Sequence, residues 1–123
     1  LVLVGIAVDD ADEDSAWLAG KVAGQKLFAD ESGRMNLSVT ETGGGVLVVS
    51  QFTLLASTRK GTKPSWHRAA GPEAAVPIYE KFLAAMETAV GHPVATGEFG
   101  AMMEVELVND GPVTLILDSR LRE

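Results

Sequence analysis

Apolar residues recur along the chain in short runs, and the spacing within each run predicts its secondary structure. Residues 1–6 are almost continuously apolar, which predicts a buried strand. In residues 13–28 the apolar positions recur at helical spacing, and acidic residues crowd the N-terminal end of this predicted helix. Residues 36–40 alternate between apolar and polar side chains, which predicts a half-buried strand.

The second half of the chain begins after three consecutive glycines and contains the remaining predicted elements. Residues 46–54 predict a central strand, and residues 72–90 predict a second helix that begins with Pro72 and ends at Gly91. Three further strands are predicted at 94–96, 102–108 and 113–117. The order β-α-β-β-α-β-β-β predicts an α+β domain with two helices and a mainly antiparallel sheet.

The composition fits one domain over residues 1–123. The hydrophobic fraction of 46% is sufficient for a core. The absence of cysteine excludes disulfides and thiolate chemistry and is typical of a reducing compartment, so we expect a cytoplasmic protein. No apolar run is long enough to span a membrane. Because the chain opens directly inside a strand, we expect its N-terminus to be truncated.

The charges are segregated. A net charge of −7 argues against general affinity for nucleic acid, yet residues 42–72 contain no Asp or Glu. A loop predicted at residues 56–72 could therefore hold phosphate, or it could be an ordinary solvated loop. Four basic residues lie in it: Arg59, Lys60, Lys63 and Arg68.

Motifs for metal or cofactor chemistry are missing from the sequence. His67 and His92 stand alone, the three glycines precede a strand instead of opening a helix, and no serine has a nucleophile-elbow pattern. We therefore predict neither a metal site nor a cofactor.

Two stretches remain as candidates for chemistry. The first, Ser50-Gln51-Phe52-Thr53, places polar groups in the predicted central strand, where unpaired polar groups are costly. In an extended strand Gln51 and Thr53 face one way, opposite to Ser50 and Phe52. They could surround a ligand oxygen together with free backbone N–H groups, or they could pair across the sheet.

The second candidate is the stretch NDGPVT at residues 109–114. Its residue types are typical of a turn. A Gly–Pro peptide bond also adopts the cis form at low cost, and it would present carbonyl oxygens with no side chain in front of them.

Together, SQFTL at 50–54 and NDGPVT at 109–114 resemble the paired signature of the D-aminoacyl-tRNA deacylases, which release D-amino acids, and in some cases glycine, from tRNA. The Gly-Pro pair separates this chain from the related animal-type enzymes. Other segments resemble the family in the same order, so the resemblance covers essentially the whole chain: MNLSV at 35–39, TRKGTKPSW at 58–66, FGAMM at 99–103 and ILDS at 116–119.

The resemblance implies a homodimer with a barrel-like sheet. In it a cis Gly111–Pro112 pair enters the partner subunit's active site and faces the substrate α-carbon. L-side chains would collide with this backbone, so D-aminoacyl-tRNA is hydrolysed in chiral proofreading during translation. The basic loop would hold the tRNA acceptor end, and Trp66 would stack on a base or simply pack.

The resemblance also implies an aminoacyl site formed by Ser50, Gln51, Phe52 and Thr53, with the N–H groups near Phe52 and Thr53 as oxyanion donors. We see no base that could activate Thr53. We therefore favour water, assisted by the 2′-hydroxyl of the terminal ribose, over Thr53 as nucleophile. Phe99 and Met103 would line the adenosine or aminoacyl pocket, or else belong to the core.

The chain departs from the family pattern at two points. Residues 1–123 do not contain the N-terminal β-hairpin of the family, which we expect the whole molecule to have, and Met102 stands where the family usually has an acid. The alternative function is a non-catalytic module that binds RNA ends. Such a module would keep the basic loop but would gain nothing from a Gly–Pro gate.

Overall fold

A computed structural model describes residues 1–122 of the chain. Five strands, three α-helices and one 3-10 helix follow one another within these residues. In chain order they are β1 (Val2–Val4), α1 (Asp12–Gly24), β2 (Phe28–Ala29), β3 (Met35–Leu37), α2 (Val39–Thr42), β4 (Leu47–Ser50), the 3-10 helix (Phe52–Leu55), α3 (Pro72–Val90) and β5 (Ala95–Thr96).

The main sheet contains β1, β4 and β5, and both of its strand pairs are parallel. Val2 is opposite Val48, and Leu47 is opposite Ala95. Parallel neighbours require a crossover connection, which α1 provides between β1 and β4 and α3 provides between β4 and β5. The α+β class is confirmed. The prediction of a mainly antiparallel sheet is wrong for the described residues, because only the small β2–β3 pair is antiparallel.

Helices α1 and α3 pack together against the sheet and enclose the core. Helix α3 has the predicted bounds: Pro72 is its first residue, and Gly91 ends it with a φ of +81°. The most deeply buried large side chains come from α3 and from the central strand, and they are Phe82, Met86 and Val48. None of the helices described is both long enough and apolar enough to cross a membrane.

Helix α1 ends at Gly24, four residues before the predicted end at Phe28. Phe28 instead pairs with Leu37 in the β2–β3 hairpin. The Asp30 carboxylate stabilises the turn of this hairpin by accepting hydrogen bonds from the backbone amides of Ser32 and Arg34, at 2.8 and 3.0 Å. Gln25, directly after the helix, already has an extended backbone with a ψ of 129°, so the chain leaves the helical path at that residue.

The strand predicted at residues 36–40 is only partly present. It ends at Leu37 because Ser38 caps the N-terminus of the short helix α2, so the structure contains three α-helices where two were predicted. The Ser38 hydroxyl accepts from the Glu41 amide, and the Glu41 carboxylate accepts from the Ser38 amide. This reciprocal capping box favours helix over strand.

The strands predicted at 102–108 and 113–117 are absent. Within residues 1–122, no backbone hydrogen bond joins residues 102–117 to the rest of the protein. Apolar side chains in this segment remain exposed, including Val108 (91%) and Ile116 (95%). A strand is stable only when it pairs with a neighbour, and the described chain offers this segment none.

Candidate functional site

The SQFT stretch lies where the central strand ends and the chain tightens into the 3-10 helix. The Gln51 amide donates to the Val4 carbonyl at 2.7 Å, and the Leu54 amide then donates to the Gln51 carbonyl at 3.2 Å. Strand β4 therefore stops at Ser50 instead of continuing to residue 54. The predicted alternation of faces along residues 50–53 is wrong, because the backbone leaves the extended conformation after Ser50 and enters the 3-10 helix at Phe52.

The polar side chains at this turn pair with each other. The Gln51 side-chain amide donates a hydrogen bond to the Thr53 hydroxyl oxygen, and both residues are half-buried, as is Ser50. A carboxamide is not basic in either orientation, so Gln51 cannot remove the Thr53 proton. This contact can position the hydroxyl, but it cannot activate it as a nucleophile.

Two adjacent backbone amides at the turn have no acceptor. Among residues 1–122, no hydrogen bond runs from the N–H groups of Phe52 and Thr53, whereas the flanking amides of Gln51 and Leu54 are both paired. Neighbouring unpaired N–H groups can stabilise an oxygen that gains negative charge in a transition state.

Gly5 of the β1 end lies directly against this turn. A Cβ atom on Gly5 would be 3.1 Å from the Gln51 carbonyl oxygen and 3.5 Å from the Leu54 Cβ. The glycine therefore allows the two backbones to approach closely. Sequence reasoning missed this residue, although a glycine that interrupts an apolar strand is a signal of close backbone approach.

Phe52 connects the turn to the basic loop. Its ring contacts Trp66 edge to face, with centroids 5.2 Å apart, and both rings are about half exposed. Such aromatic pairs stabilise a folded protein by about 0.5–1.5 kcal/mol in addition to the contribution from the apolar area that they bury. Trp66 therefore packs on the motif, and its exposed part remains free to contact a base.

The basic loop is closed by a pair of backbone hydrogen bonds between Ser57 and Ser65, at 2.8 and 2.9 Å. This bridge places three exposed cations at the tip, namely Arg59, Lys60 and Lys63. The fourth, Arg68, lies beyond the bridge, where its guanidinium donates to the Ala56 carbonyl at 2.7 Å. Arg68 thus contributes to the shape of the loop base.

Phe99 and Met103 lie against the protein body. The Phe99 ring is half-buried, 5.5 Å from the ring of Tyr79, and the Met103 sulfur would be 2.7 Å from a Cβ atom on Gly97. Burial raises the pKa of Tyr79, whose hydroxyl has no hydrogen-bond partner in the described structure. Phe99 contacts the core, and the role of both residues in a pocket stays a prediction.

The Gly111–Pro112 peptide bond is cis, and both residues are exposed. Asn109 braces the surrounding loop: its side-chain amide donates to the Thr114 hydroxyl at 3.0 Å, and its side-chain oxygen accepts from the Val113 amide at 3.2 Å. No hydrogen bond within residues 1–122 joins this loop to residues 50–53. Within the described chain, the ring of Phe52 thus connects the SQFT turn to the basic loop, whereas no hydrogen bond connects the turn to Gly111–Pro112.

Comparisons with known proteins identify relatives of this chain. Residues 1–118 match the protein family described as D-Tyr-tRNA(Tyr) deacylase. The chain is 62% identical over its full length to the D-aminoacyl-tRNA deacylase of Opitutus terrae and 56% identical to that of Akkermansia muciniphila, and it covers 82% of each relative.

Two solved structures share the fold. The c-Myc DNA unwinding element binding protein matches with a TM-score of 0.86 and 36% sequence identity, and the match covers 94% of this chain and 78% of that protein's chain. A probable eukaryotic D-amino acid tRNA deacylase matches with a TM-score of 0.68 and 18% sequence identity, and the match covers 81% of this chain and 74% of that protein's chain. At this identity the match shows a similar fold alone. The match of the family over residues 1–118, with relatives above 50% identity, places this chain in the D-Tyr-tRNA(Tyr) deacylase family.

Proposed function

We propose that this chain hydrolyses the ester bond of D-aminoacyl-tRNA, releasing the free D-amino acid and tRNA. The curated relatives are named D-aminoacyl-tRNA deacylases, so the family is one of hydrolases that act on esters of tRNA. The observation that carries the proposal for this chain is the pair of unpaired amides at Phe52 and Thr53, beside the hydrogen-bonded side chains of Gln51 and Thr53.

The chemistry follows from these groups. Water attacks the ester carbonyl carbon, and the carbonyl oxygen becomes an oxyanion that accepts hydrogen bonds from the Phe52 and Thr53 amides. Collapse of this intermediate breaks the bond to the ribose oxygen, which leaves as a hydroxyl with a proton supplied by the attacking water. Gln51 cannot act as a base toward Thr53, so the Thr53 hydroxyl is not activated as a nucleophile. We therefore assign the attack to water and the orientation of this water to the neighbouring ribose 2′-hydroxyl.

Gly111 and Pro112 form the chirality gate of this proposal. Their carbonyl oxygens would face the substrate α-carbon, where hydrogen fits and an L-side chain collides. A D-residue or glycine passes, so glycine mischarged on the tRNA for alanine is a further substrate. Proofreading of this kind operates on the products of aminoacylation, in the cytoplasm.

The gate requires a homodimer, because the loop of one subunit enters the site of its partner. The exposure of Gly111 and Pro112 and the absence of hydrogen bonds between their loop and the SQFT turn within the described chain support this arrangement. Apolar side chains exposed along residues 102–117 would be covered in a dimer with a barrel-like sheet.

The deciding experiment compares release of D- and L-tyrosine from the same charged tRNA. We expect rapid release of D-tyrosine and release of L-tyrosine close to the spontaneous rate. The alternative function, an RNA-end-binding module, predicts that tRNA binds without faster hydrolysis of either ester. Light scattering on the same sample tests the dimer, and a fully active monomer at micromolar concentration would exclude the shared site.

A further inference from the structure

The C-terminal strap, which we define as residues 102–117, carries the Gly111–Pro112 loop and makes no backbone hydrogen bond to the rest of the described chain. Its one backbone hydrogen bond within the described chain is internal, from the Asp110 amide to the Val108 carbonyl at 3.2 Å. Near its start, Met103 packs against Gly97. Its other end continues into residues 118–122, which attach to the protein body.

Arg120 provides that attachment. Its guanidinium lies 2.5 Å from the Asp9 carboxylate, 3.5 Å from that of Asp10 and 3.8 Å from that of Asp14, and it also donates to the Asp9 carbonyl oxygen. These contacts join the end of the chain to the segment that leads into α1, more than 100 residues earlier.

The carboxylates around Arg120 are held in place by their own backbone contacts. The Asp10 carboxylate accepts from the Ala7 amide at 2.7 Å, and the Asp14 carboxylate accepts from the Ala11 amide at 2.8 Å. The side chains of both aspartates are largely buried, with exposures of 14% and 19%. Isolated surface ion pairs contribute little, but an arginine shared by several ordered carboxylates forms a network.

One neighbouring contact to the protein body extends the attachment. The Arg122 guanidinium lies over the Trp17 ring, 4.4 Å from its centroid, while its Nε donates to the Ser119 carbonyl at 2.6 Å. The residues that follow the strap are thus docked on α1 and on the segment before it by the side chains of Arg120 and Arg122.

We propose that Arg120 is a positioning residue for the Gly111–Pro112 loop. By anchoring the end of the strap, it limits the positions that the loop can sample and so sharpens discrimination between D- and L-substrates. This inference rests on the proposed chirality gate and adds to it a residue outside both signature motifs.

The test uses the Arg120→Ala and Arg120→Lys variants of the whole protein, with Arg34→Ala as matched control. Arg34 is an exposed arginine on the β2–β3 turn, so its removal changes the net charge equally. A protease that cleaves at apolar residues reports how often the strap opens. Deacylation rates are measured for D- and L-esters on the same tRNA. The ratio of the two rates reports discrimination, because a change in tRNA affinity affects both rates equally.

We expect Arg120→Ala to accelerate cleavage within the strap by about fivefold, the factor that corresponds to about 1 kcal/mol. The D-to-L rate ratio should fall by a similar factor, Arg120→Lys should restore part of both effects, and Arg34→Ala should match the wild type. Unchanged cleavage in Arg120→Ala would overturn the proposal, and so would faster cleavage with an unchanged ratio. A wild-type protein without D-selectivity would refute the gate instead, while the cleavage rates would still show whether Arg120 holds the strap.

Discussion

The side-chain amide of Asn109 donates a hydrogen bond to the hydroxyl of Thr114 at 3.0 Å, and this contact closes the loop that carries Gly111 and Pro112. The same Asn109 side chain accepts from the Val113 amide at 3.2 Å. One carboxamide therefore joins the two ends of the loop through two hydrogen bonds. The order of the proposed gate depends on this residue as well as on the glycine and proline that form the gate.

Replacing Asn109 by Ala should loosen the loop and lower the D-to-L ratio of deacylation rates. The variant loses two hydrogen bonds of about 0.5–1.5 kcal/mol each, so a decrease of roughly fivefold to 150-fold is expected. The ratio is measured with both esters on one tRNA. Asp110→Ala is the matched control, because no side-chain hydrogen bond is formed by Asp110 in the described structure. Equal ratios in the two variants would show that Asn109 does not order the gate.

Gly111→Ala should impair the gate by a different route. Gly111 has a φ of +141°, and an added Cβ would lie 3.0 Å from both the amide nitrogen and the Cγ2 of Val113. Residues with a side chain rarely adopt this backbone conformation. We expect altered discrimination together with an almost unchanged melting temperature, because the loop is exposed. Gly20→Ala serves as control, since nothing lies within 4 Å of its added Cβ. Wild-type rates on both esters in Gly111→Ala would contradict the gate.

Neutralising Arg59 and Lys60 together should weaken tRNA binding and flatten its dependence on salt concentration. Both residues lie at the tip of the basic loop, and removal of each phosphate contact reduces the slope of log K against log salt by about 0.7–0.9. The D-to-L ratio should persist, because phosphate contacts do not read chirality. Binding titrations over a series of salt concentrations measure the slope. An altered ratio with an unchanged slope would assign the loop another role.

Thr53→Ala should slow deacylation without abolishing it. The hydroxyl of Thr53 is held by Gln51 and has no base beside it in the described structure, so its removal deletes a positioning contact worth about 0.5–1.5 kcal/mol, or roughly a threefold to tenfold decrease in rate. Single-turnover rates on D-tyrosyl-tRNA give the effect. An inactive Thr53→Ala variant, together with an aminoacyl adduct on wild-type Thr53 detected by mass spectrometry, would establish the covalent route instead.

Tyr79→Phe should leave the protein at least as stable as the wild type. The Tyr79 hydroxyl is buried without a partner in the described structure, and an unsatisfied buried hydroxyl costs about 1–3 kcal/mol. Removing it also preserves the ring contact with Phe99. Thermal unfolding of the two proteins measures the difference. A clear decrease of stability in Tyr79→Phe would show that the hydroxyl finds a hydrogen-bond partner in the assembled protein.

Local sequence determined helix α3 and the family. Pro72 at the first helical position, apolar residues at helical spacing and Gly91 at the end all act within a few residues of one another, so the predicted and observed bounds agree. The two signature motifs likewise specified the family, because short segments in the correct order identify relatives without reference to three-dimensional contacts.

Strand direction and strand pairing were decided only by the tertiary structure. The apolar pattern at residues 102–108 and 113–117 is that of strands, but whether a strand forms depends on a neighbour that supplies hydrogen bonds, and the described chain supplies none. The parallel order of β1, β4 and β5 likewise follows from how α1 and α3 cross over the sheet. Alternation within a strand carries no information about the direction of its neighbour.

The candidate site depends on both local sequence and tertiary structure. Residue types alone singled out Ser50, Gln51 and Thr53, but the geometry around them depends on a distant contact, the hydrogen bond from the Gln51 amide to the Val4 carbonyl that ends the strand. Gly5 and Arg120 were not predicted, because their partners lie far away along the chain and become neighbours only on folding. Sequence spacing thus determined which chemical groups are available, whereas packing between distant segments decided which of them meet.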